Sequence, residues 1–168
     1  MQYQRRENIE IHNVPQSIDD KNLEKYCCDV LSTIGNPVQP NQIHACHRMK
    51  NKSKTIIRFV NRKDADKSLY ARKKLKEINK EQFKLPADSP GLFINENLCR
   101  PMEFLYYKVR TNAKSLGKGQ DGKNILTYNL WKGRLTITLR GTEFTISHID
   151  HLIDLELASE DDRMLLFN

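Results

Sequence analysis

Lys54-Thr55-Ile56-Ile57-Arg58-Phe59-Val60-Asn61-Arg62-Lys63-Asp64-Ala65 passes without a break from a β-rich run into a helix start. Its first half is dense in β-branched and aromatic residues, which suit a strand ending at Val60. Asn61 is a favoured helix N-cap with Asp64 three places on, and Ala65, Leu69 and Leu75 give the helix a thin apolar stripe through Lys76. Upstream, Ile43 to Met49 is a second β-capable run. The polar turn Lys50-Asn51-Lys52-Ser53 makes the two a hairpin. Further back, Leu23, Tyr26, Cys27, Val30, Leu31 and Ile34 recur at helical spacing after Asp19-Asp20, and Gly35 stops them. Asn8 to Val14 alternates, with Ile9, Ile11 and Asn13 on one side and Glu10 and His12 on the other, until Pro15 ends a first strand. Leu92 to Asn95 reads as a short fourth strand behind Pro86 and Pro90. The order β-α-β-β-α-β predicts a four-stranded sheet with both helices on one face and the other face open.

A second unit starts at Pro101, which suits a first helical turn. Met102, Leu105, Tyr106, Val109, Ala113 and Leu116 mark its apolar face, and Gly117 stops it. Ile125 to Trp131 and Arg134 to Leu139 read as strands joined at Lys132-Gly133, with Thr142 to Ile146 a candidate third. Leu135, Ile137 and Leu139 point one way, while Arg134, Thr136, Thr138 and Arg140 point the other. Ser147 with Asp150 resembles a capping box for a last helix, and Glu160-Asp161-Asp162 reads as a frayed acidic tail. The expected class is α+β, with a first domain over 7–96, a small α/β domain over 97–157 and a tail over 158–168.

The 168 residues carry 28 Lys and Arg against 21 Asp and Glu, a net +7, unevenly placed. Residues 44–84 hold 14 basic and 4 acidic groups, and residues 100–140 hold 9 and 2, whereas residues 141–168 hold 1 and 7. Two basic segments and an acidic end point to a polyanion partner, the alternative being a solvated lysine-rich surface. No apolar run approaches the roughly 20 residues of a membrane span, and no apolar stretch follows Met1 to Arg6 as in a secretory signal. A soluble intracellular protein of cytoplasm or nucleus is expected, with Cys27, Cys28, Cys46 and Cys99 reduced.

No catalytic constellation stands out. Gly117 to Asn124 nearly spells a phosphate-binding loop, but Asn124 replaces the magnesium-ligating hydroxyl, and the segment leaves a helix to enter a strand rather than the reverse. It reads as a mobile basic loop. His44, His47, Cys46 and Cys27 lack the tight paired spacings of a zinc site. No enzyme activity, cofactor or metal is expected.

The element order resembles an RNA-recognition-motif domain, whose sheet stacks bases on aromatics of its two central strands. Here those positions fall on Glu10, Ile56 and Arg58, with Phe59 pointing into the core, so the motif is degenerate. More specific is an ordered string of landmarks. It runs Asn8-Ile9-Glu10-Ile11 to Val14-Pro15, His47-Arg48-Met49, Ile56 to Phe59 with Asn61-Arg62, Ala71 to Lys76, Ile94 to Leu98, and Tyr107 to Arg110. Together these resemble the few-polyhedra protein family of baculoviruses and its insect relatives, itself similar to the first open-reading-frame protein of LINE-type retrotransposons. The resemblance spans about Asn8 to Leu155. It implies a degenerate recognition-type domain followed by a small C-terminal domain. On the retrotransposon side it also implies sequence-tolerant binding of single strands, RNA ahead of DNA, and on the viral side a role in virion occlusion. It further implies a homo-oligomer through an upstream coiled coil, of which this sequence shows no heptads.

Arg48, Arg58, Arg62, Arg72, Lys73, Lys74 and Arg110 match the family's basic landmarks, and Lys50, Lys54, Lys114, Lys118, Lys123 and Arg134 join them from the charge pattern. The expected mechanism is a single strand gripped by its phosphates in a basic cleft between two domains, with poor sequence preference. The Tyr106, Tyr107, Tyr128 and Trp131 rings are expected mostly in the second core. The rival expectation is a protein-protein or virion structural module with little nucleic-acid binding.

Overall fold

The computed structural model describes residues 5–50 and 54–167 in two compact units, 5–97 and 98–167, of mixed α+β structure. The tip of the turn, Asn51 to Ser53, lies outside the described residues. Among the described residues no helix is long and apolar enough to cross a membrane.

In the first unit, β1 (Asn8–His12), β2 (Ile43–Arg48), β3 (Lys54–Phe59) and β4 (Phe93–Glu96) form one sheet in the order β2-β3-β1-β4. Every neighbouring pair is antiparallel. α1 (Asp20–Thr33) and α2 (Arg62–Ala71) cover the face that carries Ile9, Ile11, Ile57, Phe59 and Ile94, each at most 2% exposed. Leu23, Cys27, Val30 and Leu31 of α1 and Ala65 and Leu69 of α2 fill that core. Each fully buried aliphatic side chain contributes about 1.5–3 kcal/mol. Asp19 caps α1 by accepting from the Asn22 amide at 2.9 Å. Gly35, at φ +88°, ends it where a side chain would be strained. A Cβ there would lie 3.2 Å from Lys74 Nζ, so the Lys74 ammonium hangs over the negative end of the α1 dipole, whose last turn has no cation of its own.

Several expectations give way to local chemistry. β1 stops at His12 rather than Val14, because Asn13 turns to φ +64° and donates its side-chain amide to Gly91 O at 2.7 Å. Asn61 does cap α2, accepting from Lys63 N at 2.9 Å. The Asp64 side chain plays no part in that cap: it is buried and accepts from Gln42 Nε2 at 3.1 Å, while its backbone amide donates to Asn61 O at 3.0 Å. The α-helix ends at Ala71, and Arg72–Glu77 tightens into a 3₁₀ turn, which brings i and i+3 side chains into line.

In the second unit, α3 (Arg100–Leu116) precedes a meander of β5 (Leu126–Trp131), β6 (Arg134–Leu139) and β7 (Thr142–Ile146), then α4 (Ile149–Asp154) and α5 (Glu160–Phe167). Lys132-Gly133 and Arg140-Gly141 all have positive φ, the mark of two-residue type I′ hairpins. Leu105, Val109, Leu126, Leu135, Ile137, Ile146, Ile149, Leu152 and Leu157 form the core. His148, not Ser147, is the N-cap of α4, and it makes no side-chain cap bond. The expected frayed tail is α5: Asp162 accepts from Ser159 N at 2.9 Å and pairs with Lys108 of α3. The expected mobile loop after α3 is a closed hairpin, pinned by Gly119 N to Lys123 O at 2.8 Å and Ile125 N to Gly117 O at 3.1 Å.

Candidate nucleic-acid interface

Strand register fixes which side chains share the helix-free face of the first sheet. Opposite residues in an antiparallel pair point the same way, so His47, Ile56, Glu10 and Asn95 form its central row. Lys54, His12 and Phe93 form the row beside it, with Ala45, Arg58 and Asn8 on the far side. The three expected stacking positions, Glu10, Ile56 and Arg58, thus lie on one face without an aromatic among them.

The centre of this face is not open. Glu10 is only 7% exposed, because Asn97, just past β4, folds back over it. Asn97 Nδ2 donates to Glu10 Oε1 at 2.8 Å, and Asn8 Nδ2 donates to Asn97 Oδ1 at 3.4 Å. His12 Nε2 and Lys54 Nζ each stand 3.2 Å from Glu10 Oε2. Burial alone pushes the Glu10 carboxyl up, but the His12 and Asn97 hydrogen bonds and the Lys54 charge outweigh it and hold the group below its ordinary value of 4.5. A buried carboxylate with three polar partners stands where a base would stack.

The basic residues of the first unit divide by partner. Arg48 turns inward: Nη1 donates to Val14 O at 3.1 Å, and Nη2 donates to Pro15 O at 2.7 Å and Ile18 O at 2.8 Å, clasping the loop between β1 and α1. With its side chain 10% exposed, its guanidinium is engaged as a structural clasp, whereas a phosphate contact was the expectation. Lys54 is held at Glu10, and Arg58, half exposed, lies 3.7 Å from Glu7. Arg62 opens α2 and Lys50 follows β2. Arg72 and Lys73 instead line a groove of about 270 Å³ with Lys76 and Lys80, facing the β4 edge from Gly91 to Asn95. Lys80 Nζ donates to Ala87 O at 3.0 Å and Ser89 O at 2.8 Å, which shapes the groove's outer loop. Arg72, Lys73 and Lys76 have no salt-bridge partner among the described residues.

In the second unit, Tyr107, Arg110 and Lys114 follow one another at three-and-four spacing along the exposed side of α3. Tyr107 is 61% exposed and Tyr128 38%, outside the core expected for most of these rings, and Tyr106 packs edge-on against Tyr128 with ring centroids 5.7 Å apart. Lys118 and Lys123 sit on the closed hairpin and share a shallow cleft of about 750 Å³ with Arg140. Arg134 lies on the outer sheet face opposite Trp131 and within 3.3 Å of Thr145 Oγ1.

His44 and His47 are exposed on β2. Cys27 Sγ and Cys46 Sγ are 3.9 Å apart as free thiols. Burial and then the nearby Glu24 raise Cys28 to about 11, and the Cys46 hydrogen bond and burial push Cys27 up as well, so both stand as protonated thiols at neutral pH. Sequence reasoning passed over Phe93, 46% exposed, although it stands between buried Leu92 and Ile94 and period-two alternation turns it outward. Lys76, Lys80 and Arg140 were also passed over, since only the folded chain puts them beside a groove.

No protein-family model matches the chain, and no curated protein does. Among solved structures, the C-terminal domain of the S. pombe telomerase accessory protein Pof8 matches at 13% identity and a TM-score of 0.44, covering 64% of this chain and 96% of that one. A likeness of that size leaves function to the residues themselves.

Proposed function

We propose that this is a non-catalytic protein that binds single-stranded nucleic acid, RNA ahead of DNA, by its phosphates and with little sequence preference. The observation that carries the reading is the grouping of cations without a salt-bridge partner among the described residues: Arg72, Lys73 and Lys76 on one unit, Arg110 and Lys114 beside exposed Tyr107 on the other. Two modest basic surfaces on one chain reinforce each other, because binding at the first raises the effective concentration at the second. The strand order β2-β3-β1-β4, with β1 and β3 central, supports reading the first unit as a degenerate RNA-recognition-type domain. That order and the string of sequence landmarks together support kinship with the few-polyhedra and retrotransposon proteins, and with it an intracellular setting of virion occlusion or retroelement RNA.

Salt titration tests this reading. Five phosphate contacts predict a log–log slope near −3.5 for a single strand, at about −0.7 each. Similar affinity for different single-stranded sequences and weaker retention of duplex are expected. A slope near zero, or no binding to single-stranded RNA in about 50 mM salt, would remove the proposal. A second reading, a protein-protein module, draws on the covered centre of the sheet, where the Glu10 cluster leaves no stacking platform. Capture of a partner that survives nuclease and about 0.5 M salt favours it, because that salt screens exposed charge contacts.

A further inference from the structure

We infer that the groove along the free edge of β4 is a one-nucleotide subsite, in which Arg72, Lys73 and Lys76 hold backbone phosphate and Phe93 stacks the attached base. This rests on the nucleic-acid reading above and assigns its site within the first unit.

Three observations converge. The groove has one cationic bank, from the 3₁₀ turn Arg72–Glu77, and one strand-edge bank, from Gly91 to Asn95. At about 270 Å³ it is just under the range of about 300–1,000 Å³ usual for small-molecule pockets, so it admits one nucleotide's worth of contact, not a folded ligand. β4 pairs on one side only, with β1, so its other edge offers backbone donors and acceptors to the groove. Phe93 both lines the groove and lies on the helix-free sheet face beside His12. A nearly half-exposed phenylalanine that lines the same groove as lysines and an arginine is poorly placed for folding and well placed for a base whose phosphate those cations neutralise.

The same geometry explains how a sheet without its central aromatics still takes a base. The Glu10 cluster closes the middle of the sheet, and Phe93, 46% exposed, stands one strand over, at the edge that Arg72, Lys73 and Lys76 line. An acidic peptide added along β4 is the competing occupant. The phenylalanine decides against it, because peptide addition to a strand edge uses main-chain bonds and has no need of a ring face.

The test uses the whole chain and fluorescence anisotropy with two probes, a decauridylate and an abasic ribose-phosphate strand of the same length. Phe93→Ala is expected to weaken the decauridylate about tenfold and leave the abasic strand unchanged, with Phe93→Trp restoring the loss. Arg72→Gln, Lys73→Gln and Lys76→Gln together are expected to weaken both probes. Unchanged circular dichroism and thermal midpoint verify folding of each variant. If wild type binds decauridylate and neither set of changes moves it, the subsite is wrong and the general reading stands. If wild type binds neither strand, the general reading itself falls. Displacement of decauridylate by polyglutamate that is as effective as self-competition would assign the groove to an acidic protein instead.

Discussion

Arg48, Lys54 and Arg58, from the β2–β3 half of the basic block, each meet an acceptor inside the first unit. Arg72, Lys73 and Lys76, from the turn after α2, meet none among the described residues and look onto a groove. Both sets contribute equally to net charge, so a charge count treats them alike. What separates them is whether the fold supplies acceptors within hydrogen-bonding distance. An arginine whose donors reach three carbonyls is part of the architecture, and removing it takes a charged donor from each; among the described residues only Pro15 O keeps a second bond, from the Ile18 amide. A lysine on an exposed turn leaves nothing unpaired, so its loss is felt only by a ligand.

The comparison is tested most severely at Arg48. Arg48→Met removes three charge-assisted hydrogen bonds from the β1–α1 loop and should destabilise by about 3 kcal/mol. For a unit of this size that lowers the thermal midpoint by roughly 10–25 °C, read by circular dichroism. A midpoint within a degree or two of wild type would show that the clasp is dispensable and that Arg48 belongs with the ligand-facing set. The opposite pattern is expected for Arg72, Lys73 and Lys76 changed together to glutamine. Stability should be unmoved, and the salt slope should shrink by about 2, or about 0.7 per contact. Lys54→Gln with Arg58→Gln should shrink it less, because both are already paired. Equal losses from the two groups would erase the distinction drawn here.

How far this was readable in advance differs along the chain. Periodicity placed α1 and α3 and the strands of both units within a few residues, because burial imposes the period it was read from: Ile9 and Ile11, Leu105 and Val109 are all fully or nearly buried. It missed the end of β1 and the origin of the α5 helix for a common reason. Asn13 is turned by the hydrogen bond its side-chain amide donates to Gly91 O, far along the chain, and Asp162 is drawn in by Lys108 of α3, and neither partner is visible locally. The same holds for the site. That Glu10, Ile56 and Arg58 share a face follows from strand pairing, but that Asn97 folds over Glu10 does not. Arg48 was indistinguishable from Arg72 by residue type, and only the carbonyls of Val14, Pro15 and Ile18 tell them apart.

The Glu10 cluster is a smaller test of the same distinction, since Lys54 counts as structural only if the carboxylate it meets stabilises the fold. The Glu10 carboxyl has a lowered pKa in the folded state, so its contribution is present above the ordinary value of 4.5 and is lost as pH falls through the folded value. The thermal midpoint of wild type should therefore drop on acidification from about pH 5 to below pH 4. Glu10→Gln should cost about 1 kcal/mol at pH 7 and flatten that acid limb. An acid limb identical in the variant would mean that other carboxylates set it and that Lys54 is available to a ligand after all.

The least effect is expected in the second unit, where α5 tests whether an acidic segment is architecture or tail. Asp162 accepts from Ser159 N at 2.9 Å and pairs with Lys108, and Asn112 Nδ2 donates to Leu157 O at 2.7 Å just before it. Desolvation works against the Asp162 charge, but the Lys108 and Ser159 partners prevail and lower its pKa, so this contact too is lost on the acid side. Asp162→Ala removes the two bonds that Ser159 donates from its amide and its hydroxyl and one partly exposed ion pair, and should destabilise the attachment of α5 by about 1 kcal/mol. The global midpoint should move little, whereas amide exchange in residues 160–167 should accelerate about fivefold relative to that in α3. Equal acceleration in both helices would make α5 part of one cooperative block with α3. No acceleration would mean that Asn112 and the apolar contacts of the segment hold it without the carboxylate, and that its acidity serves the chain's charge distribution rather than its packing.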